Sequence, residues 1–196
     1  MTSASASRFD TLTLWLHWIT AALVLAQFAT ALSLDHVEPS QIALVLSVHR
    51  STGLLLWGLT VARLVWRLTF MRAPPADPKH PRLQRLAARA NVYALYLLLL
   101  AQPATGLADS LFHAHPFSVF GLSVPVLVAK SKPIYKAAHK LHEAGGWALA
   151  GLIGLHTAAG LFHRLVLRDG VLQAMLPSFR PAARATPSAP VAADEL

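Results

Sequence analysis

Residues 140–156, KLHEAGGWALAGLIGLH, form an apolar segment with a histidine near each end. Between His142 and His156 the only charged residue is Glu143. Histidine is rare and costly inside a bilayer, so two of them in one hydrophobic helix require a functional explanation. Fourteen residues of α-helix rise about 21 Å and return to within about 40° of the starting direction. We therefore predict that both histidines leave the same helix face at two depths.

The whole chain has the composition of a membrane protein. It has 196 residues, of which 55% are hydrophobic and 13% charged, and its mean hydropathy is +0.48. A soluble domain would carry about 25% charged residues. Four apolar runs each reach the length of about 20 residues that crosses a hydrocarbon core. The sequence predicts an all-α integral membrane four-helix bundle with spans at about 12–34, 42–66, 91–111 and 141–167.

The predicted folded part is one domain, residues 8–177, without an evident internal repeat. Residues 1–7 and 178–196 are rich in Ala, Pro and Ser, and we expect them to be disordered. The chain contains no cysteine, which excludes disulfides, thiolate-ligated haem and covalent c-type haem attachment.

The predicted loops differ in charge, and this difference predicts the topology. The first loop has two acids and no Lys or Arg, whereas basic residues crowd the second loop: Arg67, Arg72, Lys79, Arg82, Arg85 and Arg89. The positive-inside rule then places the second loop and both termini in the cytoplasm. The formal charge of +8 is explained by this topology, so no nucleic-acid partner is predicted.

The third loop faces outside in this topology, yet it is basic. It reads AKSKPIYKAAHK and has no acid among its four lysines, Lys130, Lys132, Lys136 and Lys140. Ordinary solvated lysines are one explanation. The other is an external basic surface that steers an anion toward the protein.

Four of the ten histidines lie inside predicted spans and away from their ends: His17, His49, His142 and His156. Their predicted depths match in pairs, an outer pair of His49 with His142 and an inner pair of His17 with His156. Two imidazoles from different helices, opposed across one iron, are the ligands of a bis-histidine haem. The sequence therefore predicts two b-type haems, with these four residues as axial ligands to the haem iron.

A small residue follows each of these histidines by four positions: Ala21, Gly53, Gly146 and Gly160. We interpret them as clearance for a flat porphyrin, although small residues also allow close helix packing. A zinc site is the rival metal interpretation. Zinc needs three or four ligands converging at one point, and no acid or thiol joins these pairs at depth, so haem is favoured.

Other polar residues in the spans have two explanations each. Arg50 is a candidate partner for a propionate of the outer haem, and snorkelling to the interface explains it equally well. Arg63 is a similar candidate at the inner level. His139 and His163 fit solvated or interface positions better than ligand positions, and Asp109 fits either proton handling or helix capping.

Five segments of the chain together resemble the bacterial cytochrome b561 family. They are RFDTLTLWLHW, VHRSTGLLLWGLTVARLVWR, ANVYALYLLLLAQPATG, KLHEAGGWALAGLIGLHTAAG and RLVLRDGVLQAMLP. The resemblance covers roughly residues 8–177. It implies a four-helix inner-membrane cytochrome with two b haems, whose ligands fall on the same four histidines.

The resemblance also implies an activity. A member of that family is a superoxide oxidase, which passes electrons from superoxide outside the membrane to ubiquinone. The hypothesis for this chain is the same oxidoreductase activity, with the outer lysines gathering superoxide. The alternative is a cytochrome b subunit that anchors a partner dehydrogenase in the membrane, as related subunits of hydrogenases do. Short loops offer little docking surface for such a partner.

Overall fold

The structure is a computed structural model that describes residues 9–71 and 81–176. Four helices in this part are long and apolar enough to cross a membrane, α1 (Thr11–Ser33), α2 (Pro39–Thr69), α3 (Arg82–His113) and α4 (Lys132–Phe162). A π-helical turn, His163–Leu167, continues α4, and the short helix α5 covers Val171–Ala174. The predicted four-helix membrane fold is confirmed. The predicted disordered tail, residues 178–196, and residues 1–7 lie outside the described part.

Three of the helices, α2, α3 and α4, are longer than the predicted spans, whereas α1 has the predicted length. α4 begins at Lys132, so Lys136 and Lys140 lie on a helix, where the sequence predicted a loop. α3 begins at Arg82, well before its apolar run. The reason is that hydropathy marks where lipid contact ends, whereas backbone hydrogen bonding continues into the polar region. Pro133 in the first turn of α4 also favours an early start, because its fixed φ suits that position.

A small β-hairpin between α3 and α4 was not predicted. Its strands β1 (Phe117–Val119) and β2 (Leu122–Val124) are antiparallel, and their three-residue length is too short for a clear sequence pattern. Phe120 and Gly121 both have positive φ, as two-residue hairpin turns require. The backbone N–H of Phe120 donates to Oγ of Ser51 at 2.7 Å, which ties the hairpin to α2.

Asp10 caps the N-terminus of α1. Its carboxylate accepts hydrogen bonds from the backbone N–H of Thr13 at 2.8 Å and from the Thr13 hydroxyl at 2.6 Å. Slight burial raises the pKa of Asp10, but these hydrogen bonds outweigh it and the pKa lies below its usual range. Trp66 at the end of α2 donates from Nε1 to the same Thr13 hydroxyl at 3.1 Å, so the cap also joins two helices.

The buried apolar core contains one residue from each long helix, Val24, Leu56, Leu99 and Leu149. Val24 follows His17 by seven residues, and Leu56 follows His49 by seven residues. Leu149 lies midway between His142 and His156 on α4. Seven residues of helix rise about 10 Å. An apolar layer therefore separates the two histidine levels. Large side chains such as Leu25 (67% exposed) and Leu97 (68% exposed) point outward, as expected for a lipid-facing surface.

The long helices pack as two hairpins. α1 packs along α2 and α3 along α4, and α2 joins the two hairpins by packing against α3. Within the described residues α4 does not pack closely along α1 or α2. The histidines of α4 face those of α1 and α2 across this wider seam.

Candidate functional site

The structure brings both predicted histidine pairs together. The ring centroids of the outer pair, His49 and His142, lie 6.1 Å apart, and those of the inner pair, His17 and His156, lie 6.3 Å apart. Each pair joins two different helices, and all four side chains are half-buried. The predicted facing across the bundle is therefore present at both levels.

These separations suit two imidazoles on opposite sides of one metal ion. A metal–imidazole nitrogen bond is about 2 Å long and the ring centroid lies about 1 Å behind that nitrogen, so the centroids of two opposed ligands stand about 6 Å apart. The rings of the outer pair are inclined at 83° and those of the inner pair at 59°. The donor set and its spacing therefore fit a bis-histidine haem at each level.

The hydrogen bonds of the outer pair favour one position for each ring proton. The Thr30 hydroxyl lies within donating distance of backbone carbonyls of its own helix, so it is placed to accept from Nδ1–H of His49, 2.9 Å away. Nδ1 of His142 lies 3.0 Å from the carbonyl oxygen of Gln102, which is only an acceptor. His142 thus carries its proton on Nδ1 and keeps a lone pair on Nε2, and the Thr30 contact accommodates the same tautomer of His49. That is the tautomer of a histidine ready to bind a metal through Nε2.

Two glutamines hold the backbone of the outer pair. Gln27 donates from its side-chain amide to the carbonyl of His49 at 3.1 Å, and Gln102 donates to the carbonyl of His142 at 2.8 Å. The two donors come from α1 and α3, the helices that precede each ligand helix in sequence. Each outer histidine is therefore held at its ring and at its main chain by the preceding helix.

The inner pair has a different environment. A terminal guanidinium nitrogen of Arg63 lies 3.0 Å from Nδ1 of His17. Arginine has only donors, so Nδ1 accepts and a neutral His17 carries its proton on Nε2. Binding a metal through Nε2 would require Arg63 to release Nδ1 so that the proton can move there. The guanidinium also lies over the Tyr96 ring, 5.6 Å from its centroid.

The predicted porphyrin-clearance residues occupy varied places. A Cβ on Gly53 would lie 3.4 Å from Oε1 of Gln27, and one on Gly146 would lie 3.4 Å from Nε2 of Gln102, so glutamine amides stand over these glycines. At the inner level, a Cβ on Gly160 would meet Cδ1 of Leu172 at 3.9 Å. Ala21, the fourth of these residues, is half-buried in α1. The clearance role itself stays a prediction.

A cleft of about 940 Å³ lies on the side of the outer pair, and its lining includes Arg50, which follows His49, and Lys140, two residues before His142. Arg50 lines it, with Nε donating to the Ser110 hydroxyl at 3.0 Å and the guanidinium 5.1 Å from the centroid of Phe117. At the same cleft, Oδ2 of Asp109 lies 3.1 Å from Nδ1 of His139. Among the predicted anion-steering residues, Lys136 and Lys140 line the cleft. Lys130 and Lys132 are also exposed but are not among its lining residues.

At the opposite end of the bundle, His163 begins the π-helical turn and contacts Asp169 through Nδ1. Its Nε2 lies 3.3 Å from the side-chain nitrogen of Gln84 on α3. This contact ties the end of α4 to the start of α3. The prediction of a simple interface position for His163 omitted these two partners.

Four residues that contact the outer pair were not predicted from the sequence: Gln27, Thr30, Gln102 and Thr105. The hydroxyl oxygen of Thr105 lies 3.2 Å from Nδ1 of His142. A usable signal was present, because a glutamine followed three residues later by a threonine interrupts both the first and the third apolar run. Polar side chains inside a membrane span usually face a partner within the bundle.

Comparison with known proteins gives a consistent result. Residues 8–178 match the family model described as prokaryotic cytochrome b561. Cytochrome b561 homolog 1 of Escherichia coli (strain K12) is 31% identical over 176 residues, covering 87% of this chain and 98% of that protein. Cytochrome b561 homolog 2 of the same organism is 32% identical over 180 residues, with coverages of 86% and 91%.

A further relative is the probable superoxide oxidase CybB of Yersinia pestis. It is 25% identical over 173 residues, covering 88% of this chain and 98% of the relative. The similarity in each case extends over the whole four-helix region.

Proposed function

The chain belongs to the prokaryotic cytochrome b561 family, whose members carry electrons in membranes, and on this premise we propose that it is a superoxide:ubiquinone oxidoreductase of the bacterial inner membrane. The observation that carries the proposal is the pair of facing imidazoles at each of two levels, 6.1 Å and 6.3 Å apart. Such pairs are suited to be axial ligands of haem, which would then carry the electrons. The name of the Yersinia pestis relative supports superoxide as the electron donor.

Four residues would hold two b haems, His49 with His142 and His17 with His156. When bound, each haem supplies a centre that accepts and gives up one electron at a time. The protein supplies the ligands, their orientation and the surrounding charge. Thr30 and the Gln102 carbonyl keep Nε2 of the outer ligands free of a proton, while Arg63 adds a positive charge beside His17.

The cleft beside the outer pair is suited to an anionic electron donor. Arg50, Lys136 and Lys140 line it and carry three positive charges against the single negative charge of Asp109. Positive charge concentrated at a cleft raises the local concentration of anions and their association rate. In the proposed orientation, with both termini cytoplasmic, this cleft opens on the outer side of the membrane.

The proposed reaction balances as follows. Two superoxide anions each lose one electron and leave as dioxygen, and one ubiquinone gains two electrons and two protons to become ubiquinol. Dioxygen is neutral, so the positive charges of the cleft do not attract it. The difference in charge between donor and product favours turnover at this face.

Stopped-flow absorption spectroscopy tests the proposal. The purified protein is mixed with a steady source of superoxide, and we expect the bands of reduced b haem to appear rapidly and to decline when ubiquinone is added. Removing superoxide with a scavenging enzyme is the control and should abolish the reduction. If b-haem bands are present but superoxide does not reduce them, the activity is wrong and the alternative of a subunit anchoring a partner dehydrogenase gains support. If b-haem bands are absent, both functions are wrong.

A further inference from the structure

Two short segments of the chain repeat one another in sequence. Residues 26–32 read AQFATAL and residues 101–107 read AQPATGL, so five of seven positions are identical. The first lies in α1 and the second in α3, and α3 contains none of the four predicted ligands. The repeat is too short to be evident when whole helices are compared. The similarity is noticeable in the structure because each segment contacts one histidine of the outer pair.

The two copies make the same contacts. In each, the glutamine side chain donates to the backbone carbonyl of a facing histidine, His49 for Gln27 and His142 for Gln102. Three residues later, a threonine hydroxyl lies beside Nδ1 of the same histidine, at 2.9 Å for Thr30 and 3.2 Å for Thr105. The outer pair thus has two equivalent supports, one on each side.

The proton positions in the two supports are also equivalent. The Thr105 hydroxyl donates to the Gln102 carbonyl at 2.8 Å, just as the Thr30 hydroxyl donates to carbonyls of its own helix. With Nδ1 protonated, as binding of a metal through Nε2 requires, each threonine oxygen accepts from the histidine. His142 has a second acceptor in the Gln102 carbonyl at 3.0 Å, which stands in the segment containing Pro103.

Glycines allow the helices to come this close. A Cβ on Gly145 would lie 2.6 Å from Oε1 of Gln102, and one on Gly106 would lie 3.0 Å from Cε1 of His142. Real Cβ atoms avoid such distances, so a side chain at either position would displace the glutamine or the imidazole. The contacts of Gln102 and His142 therefore depend on these two positions being glycine.

We propose that the segments 26–32 and 101–107 are paired positioning elements that fix the tautomer and the ring orientation of His49 and His142. Their combined effect is the inclination of 83° between the two rings. The inference rests on the proposed haem binding but not on superoxide as the donor. It gives α3, the helix without a ligand, a defined part in the outer site.

The first test removes the acceptor oxygens. Thr30→Val and Thr105→Val keep the side-chain shape but delete the hydroxyl beside Nδ1. An acceptor on Nδ1–H makes an imidazole a stronger electron donor to its metal, so each variant should raise the midpoint potential of the outer haem. The shift should be larger for Thr30→Val, because His142 keeps the Gln102 carbonyl. Thr30→Ser and Thr105→Ser retain the hydroxyl and should restore the wild-type potential.

The control is Thr60→Val. The Thr60 hydroxyl donates to the Leu56 carbonyl within its own helix, so the change removes the same group at a more deeply buried position. Its outer-haem potential should equal that of the wild type. Equal potentials for Thr30→Val, Thr105→Val and the wild type would overturn the proposal while leaving haem binding intact.

The second test uses ring orientation as its readout. The low-spin ferric EPR spectrum of a bis-imidazole haem depends on the angle between its ligand planes. Gly106→Ala should turn the His142 ring and shift the outer-haem signal, whereas Gly154→Ala, whose Cβ would meet no atom within 4 Å, should leave it unchanged. An unshifted signal in Gly106→Ala would contradict the proposal. So would equal loss of both haem signals, because it would indicate a general role in bundle folding.

Discussion

The carbonyl oxygen of Gln102 lies 3.0 Å from Nδ1 of His142, and the side-chain amide of the same glutamine lies 2.8 Å from the His142 carbonyl. One residue of α3 thus contacts both the ring and the main chain of a histidine on α4. A residue held at both its ring and its main chain loses more freedom in advance of ligand binding than one held at a single point. The outer site is therefore largely organised by the protein itself.

Replacing a ligand histidine should remove one haem and leave the other. We expect His49→Ala or His142→Ala to lose the outer haem, because the apolar layer keeps the two levels apart. His17→Ala or His156→Ala should lose the inner haem instead. The haem content per protein and the reduced-minus-oxidised spectrum measure the outcome. Loss of both haems, or of neither, in a single-histidine variant would contradict the pairing.

Arg63 should raise the midpoint potential of the inner haem. Its guanidinium lies beside His17, and after it releases Nδ1 its positive charge still stabilises a nearby centre that has gained an electron. Arg63→Met should therefore lower the inner potential in a spectroscopic redox titration. Arg67→Met, one turn further along α2, is the matched control and should have a smaller effect. An inner potential that is unchanged in Arg63→Met would show that the arginine acts elsewhere.

The four outer lysines should differ in their effect on superoxide. Lys136 and Lys140 line the cleft beside the outer pair, whereas Lys130 and Lys132 are exposed residues outside that lining. The double change of Lys136 and Lys140 to Gln should slow haem reduction by superoxide and weaken its dependence on ionic strength. The double change of Lys130 and Lys132 to Gln removes the same charge outside the cleft lining, so it should slow haem reduction less. Equal rates for the two double variants would contradict a role for the cleft.

The cap of α1 should give a pH-dependent contribution to stability. Because the pKa of Asp10 is lowered in the folded protein, its contribution is present above the unfolded pKa and is lost as the pH falls through the folded one. Asp10→Ala should lower the free energy of unfolding by about 1 kcal/mol at neutral pH. Thermal denaturation in detergent at neutral and at acidic pH measures the effect. The difference between the variant and the wild type should disappear at the acidic pH, and a constant difference would exclude the cap as its origin.

The sequence predicted those parts of the molecule that depend on burial and helical period. Long apolar runs predicted the four spans, and the fourteen-residue interval predicted that His142 and His156 share a helix face. Each prediction follows from the constant rise and turn of an α-helix. Helix ends were predicted less well, because Lys132 and Arg82 are polar yet fit a continuing helix.

The supporting contacts could not be predicted by the same means. Which carbonyl the Gln27 or Gln102 amide reaches depends on how two helices pack, and packing is not contained in the period of either helix. The contact between Arg63 and His17 depends on the relative rotation of α1 and α2 in the same way. Histidines were found because they are rare in membranes, whereas a single threonine in a span is too common to stand out.

The apolar layer formed by Val24, Leu56, Leu99 and Leu149 has a consequence for membrane permeability. Protons and hydrated ions cross a bundle along polar side chains or ordered water, and these four aliphatic residues provide neither. Electrons can pass between redox centres by tunnelling without such a path. With haems bound at both levels, as proposed, this layer would let electrons pass while offering protons no polar side chain of its own.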